Sequence, residues 1–297
     1  MDGFQVNLDQ DLRAPIVLLA FSGWSDTGTV TVDLASHLID TYAGRRFLSV
    51  DPEDYYVFTE TRPEVRLGSS GLREIHWPTN EGFACYIPEA IQDLVLIRGV
   101  EPNTNWKRFS AQLATVIAEI KPKLVCSLVA RPAAMPHTRP IVVSGSSADE
   151  EIARAYGLES SSYQGPTGLI GVAHDAMRKH DLPLISLAAS IPHYLSVEEN
   201  PPATIALIKA LEPILGFSPP TTSLEEESVR FLERVEEASK QDSQIGPYVK
   251  TLEERYAEMH IFDESTATET EAAANLSADD ILRDVEDLLR HREDEEQ

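Results

Sequence analysis

Over the first 216 residues, short continuous apolar runs alternate with stretches whose apolar positions recur at helical spacing. The segment 15–21 reads PIVLLAF, too short for a helix and typical of a strand covered on both faces. A Gly/Ser/Asp turn follows, and then 29–42, apolar at helical spacing, which gives strand, loop, helix. The same reading predicts further strands over 47–50, 93–98, 123–130, 141–144 and 184–190, and helices over 106–120, 148–156, 168–180 and 203–211. Buried strands alternating with helices predict an α/β fold with a mixed central sheet flanked by helices.

One segment departs from this rhythm. Residues 55–77 hold two runs of polar and apolar alternation, VFTETRPEVRL and LREIHW, on either side of Gly68-Ser69-Ser70-Gly71, which predicts an inserted antiparallel hairpin. Such a hairpin needs cover for one face, either from a neighbouring subunit or from its own domain. The core ends at Gly216-Phe217-Ser218-Pro219-Pro220, where glycine and two prolines stop a helix and favour an extended link. Beyond it, Val229, Phe231, Leu232 and Val235 mark one amphipathic helix. Tyr248, Leu252, Tyr256, Met259 and Ile261 mark a second, so 221–262 reads as an acidic helical lid. Residues 263–276 carry no apolar stripe and read as a linker, and 277–297 as a last amphipathic helix capped at Ser277.

Charge sharpens this division. The 297 residues carry 49 acidic and 25 basic side chains, and 221–297 alone hold 23 acidic and 8 basic ones. An acidic surface repels phosphate backbones and anionic lipid, which argues against nucleic-acid and membrane partners. The less acidic core keeps Arg62, Arg98 and Arg139 available to an anion. Cys85 and Cys126 are too few for a disulfide framework and lack zinc spacing. With no leader-like N-terminus and no apolar run of membrane-spanning length, the expectation is a cytoplasmic protein.

Candidate chemistry gathers at predicted strand ends. The loop after the first strand carries Ser22, Gly23, Trp24 and Asp26, and ligands of open α/β sheets bind outside the carboxyl ends of strands. The same loop also reads as a simple strand-to-helix turn in which Asp26 or Thr27 caps the helix. Arg98 and Glu101 end another strand, as an ion pair or a ligand clamp. Two more strands lead into Pro-His pairs, Pro136-His137 with Arg139 close behind, and Pro192-His193. Histidine titrates near neutrality and serves as acid, base or hydrogen-bond partner, so two at equivalent places suggest one crevice. Gly165, Thr167 and Gly168 precede a predicted helix whose N-terminus offers backbone N–H groups to an anion; alternatively the glycines only permit close packing. No motif names a reaction, a nucleophile, a metal or a cofactor.

Five separated motifs in order, FSGWSDTG at 21–28, RGVEP at 98–102, PHTRP at 136–140, YQGPTG at 163–168 and SLAASIPHY at 186–194, resemble the proteasome assembly chaperone 2 family in its bacterial, actinobacterial-type branch. The resemblance spans about residues 10 to 260. It implies a core similar to purine nucleoside phosphorylases and related hydrolases, a homotrimer with the inserted hairpin in its contacts, and a C-terminal helical region over a ligand pocket. Eukaryotic members help assemble proteasome rings, and some dock through a C-terminal hydrophobic-Tyr-any tripeptide. With Glu295-Glu296-Gln297 as the last residues, the expectation is that this docking device is not used. The resulting expectation is a homo-oligomer holding a small polar or anionic ligand in the strand-end crevice under the lid. Its alternative is a noncatalytic assembly chaperone or scaffold acting through its oligomer surface and acidic tail.

Overall fold

The computed structural model describes residues 3–68, 71–161, 163–196, 199–241 and 245–263. The expected helix over 277–297, and the expected linker beyond Asp263, lie outside the described residues. Nine strands form one mixed sheet. Across it run β1 (Phe4–Val6), β3 (Arg45–Val50), β6 (Asn80–Cys85), β7 (Leu94–Val100), β2 (Ile16–Ser22), β8 (Leu124–Ala133), β11 (Leu184–Pro192), β9 (Val143–Ser147) and β10 (Glu159–Ser160). A separate hairpin pairs β4 (Glu64–Leu67) with β5 (Arg73–His76).

The four central strands β7, β2, β8 and β11 run parallel to one another, so Val100, Ser22, Ala133 and Pro192 end on one edge of the sheet. Their near-continuous apolar sequences follow from burial on both faces. Ile16, Leu18, Leu96, Cys126 and Leu128 face α1 (Val30–Thr41) and α5 (Pro201–Leu215). Val17, Leu19, Val95 and Val125 face α2 (Trp106–Glu119) and α4 (Leu169–Arg178). A short helix, α3 (Glu150–Tyr156), starts on Asp149, whose side chain accepts the N–H groups of Glu151 and Ile152.

α5 stops at Gly216, which adopts φ 76° and returns its N–H to Glu212. Two acidic helices follow, α6 (Thr222–Gln241) and α7 (Ile245–Asp263). α6 buries Leu224, Phe231 and Val235 and packs against α5, while Val249 and Leu252 of α7 are also buried. Among the described residues no helix is long and apolar enough to cross a membrane.

Three differences from the sequence reading have physical causes. β6 escapes a pattern search because NEGFAC is interrupted by Gly82, yet a Cβ there would lie 2.9 Å from Leu48 Cβ, so close packing on β3 demands glycine. The first hairpin strand is shorter than its alternating sequence: Val57 to Thr61 turns instead, with Val57 N–H and Thr61 Oγ1 both donating to Asn103 Oδ1 at 3.0 Å. The strand expected over 141–144 lies at Val143–Ser147, where backbone pairing with β11 outweighs the poor strand propensity of Ser-Gly-Ser-Ser.

Candidate functional site

The shared strand-end edge carries two cavities. The first, of about 530 Å³, lies over β2 and β7 and is lined by Ser22, Gly23, Trp24, Glu101, Thr167 and Gly168 among others. Glu101 organises it. Its Oε2 accepts Trp24 N–H at 3.0 Å and its Oε1 accepts Leu169 N–H at 2.8 Å, joining the loop after β2 to the start of α4. Gly23, at φ 131°, lets the loop pass so close that a Cβ would lie 2.9 Å from Glu101 Cβ. The N-terminus of α4 is therefore answered by a carboxylate of the chain itself. Trp24 remains 76% exposed at the rim, and Ser22 donates its hydroxyl to Gly99 O at 3.3 Å.

Asp26 stands apart from this cavity. Buried, it accepts Thr31 N–H at 2.7 Å and Val32 N–H at 3.4 Å, so the capping role considered for it is the one its geometry fits. Burial pushes its carboxyl up to about 6, against the opposing pull of those N–H groups. Ser25 O accepts Ala130 N–H at 2.9 Å, so this loop also bridges from β2 to β8. Arg98 points elsewhere: its guanidinium donates to Ser36 Oγ on α1 and lies 5.2 Å from the centre of the Phe83 ring. The considered pairing of Arg98 with Glu101 does not form, because Glu101 is committed to backbone N–H groups.

The second cavity, about 830 Å³, lies beyond β8 and β11, between the 137–143 segment, α5 and α6. Arg139, Lys209 and His137 bring polarity, and Ile141, Ile205 and Phe231 an apolar wall. Beside it the two Pro-His histidines meet through tyrosine. Tyr194 Oη lies 2.8 Å from His137 Nδ1 and accepts His137 N–H at 2.7 Å. The ring of His193 stands edge-on to Tyr194 at 5.5 Å, with Nδ1 3.2 Å from Ala133 O and Nε2 3.1 Å from Tyr248 Oη of α7.

His137 has only 6% of its side chain exposed, and its Nε2 has no hydrogen-bond partner among the described residues, Glu236 Oε2 of α6 being 3.8 Å away. Burial lowers its pKa and Glu236 partly restores it, so the imidazole is neutral at pH 7. Burial likewise pushes Tyr194 up to about 12. The sequence reading missed Tyr194 and Tyr248 as participants. Tyr194 follows His193 directly, and that adjacency was its only signal.

Gly165 lines neither strand-end cavity but a third one beside α4, which Thr167 also borders. Ser22, Trp24 and Glu101 thus converge with Thr167 and Gly168, His137 converges with Arg139 and His193, and Asp26, Arg98 and Gly165 lie outside both groups. Among the described residues no three His, Cys, Asp or Glu side chains converge as a metal site.

A family model described as the PAC2 family matches residues 20–239. The chain belongs to the PAC2 family. A PAC2 family protein from Streptomyces avermitilis is 37% identical, with 79% of this chain and 99% of that one covered and a TM-score of 0.72. A Mycobacterium tuberculosis proteasome-assembly chaperone homologue is 34% identical over 79% and 99% of the two chains, with a TM-score of 0.70. A M. tuberculosis protein of unknown function shares the fold at 20% identity, with a TM-score of 0.80 over 92% and 94%. No functionally curated protein matches. In this PAC2 chain the matched stretch carries both histidines of the strand-end edge and most of α6.

Proposed function

We propose that this PAC2 protein binds a small anionic ligand with an apolar body in the cavity beyond β8 and β11, and that α6 and α7 act as its lid. The observation that carries this reading is the lining itself: Arg139, Lys209 and a neutral His137 face Ile141, Ile205 and Phe231 across about 830 Å³, a size usual for small-molecule sites. α6 supplies Phe231 to the wall and Glu236 beside His137, so seating a ligand and seating the lid draw on the same residues. Any proton transfer falls to His137, whose lowered pKa leaves it a neutral acceptor at pH 7.

Thermal melting of the full chain with hexanoate, benzoate, inorganic phosphate and neutral hexanamide tests this reading. A ligand at one hundred times its Kd stabilises by about 2.7 kcal/mol. Hexanoate or benzoate is expected to raise Tm by several degrees, and Arg139→Ala to remove the rise. Equal effects from hexanamide, or none from either carboxylate, contradict it.

A second reading, an assembly protein working through an oligomer surface, rests on the hairpin. Val65 pairs with Ile75 on one hairpin face, and these are 63% and 59% exposed, with Leu67 at 76%. An apolar face this open favours a second copy of the chain, in a homotrimer, as its cover. The name of the 34% identical M. tuberculosis protein, a proteasome-assembly chaperone homologue, lends it support.

A further inference from the structure

The third cavity holds about 660 Å³ and opens on the α4 side of the sheet, over β11 and β9. Register pairing puts Ser127 of β8 beside Ser186 of β11, and Ser186 beside Ser146 of β9. Paired residues of neighbouring strands share a face, so three hydroxyls form a row across the sheet. The same face is apolar further along, at Val17, Val95 and Val125, where α2 and α4 cover it. Ser186 and Ser146 line the cavity, whereas Ser127 is wholly buried behind it.

His174 closes the row. It lies half-buried beside Ile170, Ala173 and Met177 of the buried stripe of α4, at spacing that ordinarily carries an apolar side chain. Its Nε2 lies 2.6 Å from Ser127 Oγ, and its Nδ1 has no hydrogen-bond partner among the described residues. The side chain borders the cavity. Burial, with Arg178 adding to it, drives the imidazole pKa down to about 4, so it is neutral at pH 7. Ser127 is too deeply buried to act as a nucleophile on a substrate, which leaves the pair a binding role.

Charges sit only at the rim. Arg178 pairs with Asp175 at 3.2 Å, Asp149 spends its carboxylate on the cap of α3, and Asp181 lies beyond them. Further along this sheet face Arg131 points to Ser144 Oγ at 3.4 Å and is under the influence of Glu159. A charged ligand therefore finds no counter-charge on the floor. Hydroxyls and a neutral imidazole can each exchange donor and acceptor roles, which matches ligand hydroxyls that do both. Tyr163, 70% exposed with its hydroxyl held by Pro166 O, adds an aromatic wall at the mouth.

We propose that this cavity is a second ligand site, separate from the lid cavity, and that it takes a neutral polyhydroxylated molecule of sugar or cyclitol type. Saturation-transfer NMR on the full chain with D-glucose, D-ribose and myo-inositol, and phosphorus NMR with inorganic phosphate, tests it. At least one of the three polyols is expected to receive saturation and to shift the His174 ring resonances. Ser186→Leu, which fills the floor, is expected to cut the transfer at least fivefold. Ala206→Trp, which fills the lid cavity instead, is expected to leave it unchanged, so this site and the lid site fail independently. Ser146→Leu on β9 serves as a second test should Ser186→Leu disturb folding, which circular dichroism checks. Transfer to none of the polyols, transfer that survives both leucine variants, or broadening of phosphate in their place overturns the proposal.

Discussion

Leu169 donates its backbone N–H to Glu101 Oε1 at 2.8 Å, so the first turn of α4 is neutralised from within the chain. The glycine-rich approach to α4 suggested a seat for an external anion, and the carboxylate of Glu101 fills that seat. Its second oxygen takes Trp24 N–H, which makes one side chain the tie between β7, the loop after β2 and α4.

Removing that tie is expected to cost stability. Glu101→Ala leaves two N–H groups without their charged acceptor, for a loss of about 1 to 3 kcal/mol. Glu101→Gln, which keeps one acceptor oxygen, should lose less. Urea unfolding midpoints of the three proteins measure both, and equal midpoints for wild type and Glu101→Ala contradict the role.

Asp26 predicts a pH dependence with a definite sign. Its carboxyl titrates near 3.8 when unfolded and about 6 when folded, so the folded chain binds the additional proton between those values. Stability from this group is full below pH 3.8 and is lost as pH rises through 6, by on the order of 3 kcal/mol. Asp26→Asn keeps an oxygen for Thr31 N–H and has no proton to lose. The gap between wild-type and variant stability is expected to change across pH 4 to 7, in the direction of the variant gaining. Parallel profiles would show that Asp26 does not titrate there.

The contact of His137 with Tyr194 and Glu236 joins the core to α6. His137→Phe keeps the ring volume but leaves Tyr194 Oη without its imidazole partner. Faster amide exchange over residues 222–241 is expected, with a global loss of about 1 to 2 kcal/mol. Unchanged exchange in α6 would sever His137 from the lid.

Hairpin variants probe the assembly reading. Val65→Lys with Ile75→Lys puts two charges on the apolar hairpin face and is expected to shift sedimentation from an oligomer to a single chain while changing the stability of the single chain by no more than about 0.5 kcal/mol. A wild-type chain that sediments as a monomer refutes a homotrimer.

The alternation of apolar runs with helical stretches made the sheet, most helices and the stop at Gly216 legible, because double burial of parallel strands leaves a strong pattern. β1, β6 and β10 were not legible: β1 is three residues at one edge, β6 is broken by a glycine that packing requires, and β10 is two exposed residues at the other edge. At the candidate site, the meeting of His137 with His193 was legible from their repeated Pro-His context. Glu101 was flagged beside Arg98, but its backbone partners were not, since they depend on where α4 begins relative to β7. His174 and the serine row passed unnoticed. The signal was present, a histidine on the apolar stripe of a helix and serines within strands, but only strand register brings them together.

An anion with an apolar body seated under α6 has a calorimetric signature. Isothermal titration of hexanoate into the full chain and into Ala206→Trp tests it most directly, since Ala206 lines that cavity on α5. One saturable site per wild-type chain and no measurable heat with Ala206→Trp are expected. Absence of binding to the wild type, or equal binding to both proteins, would contradict it.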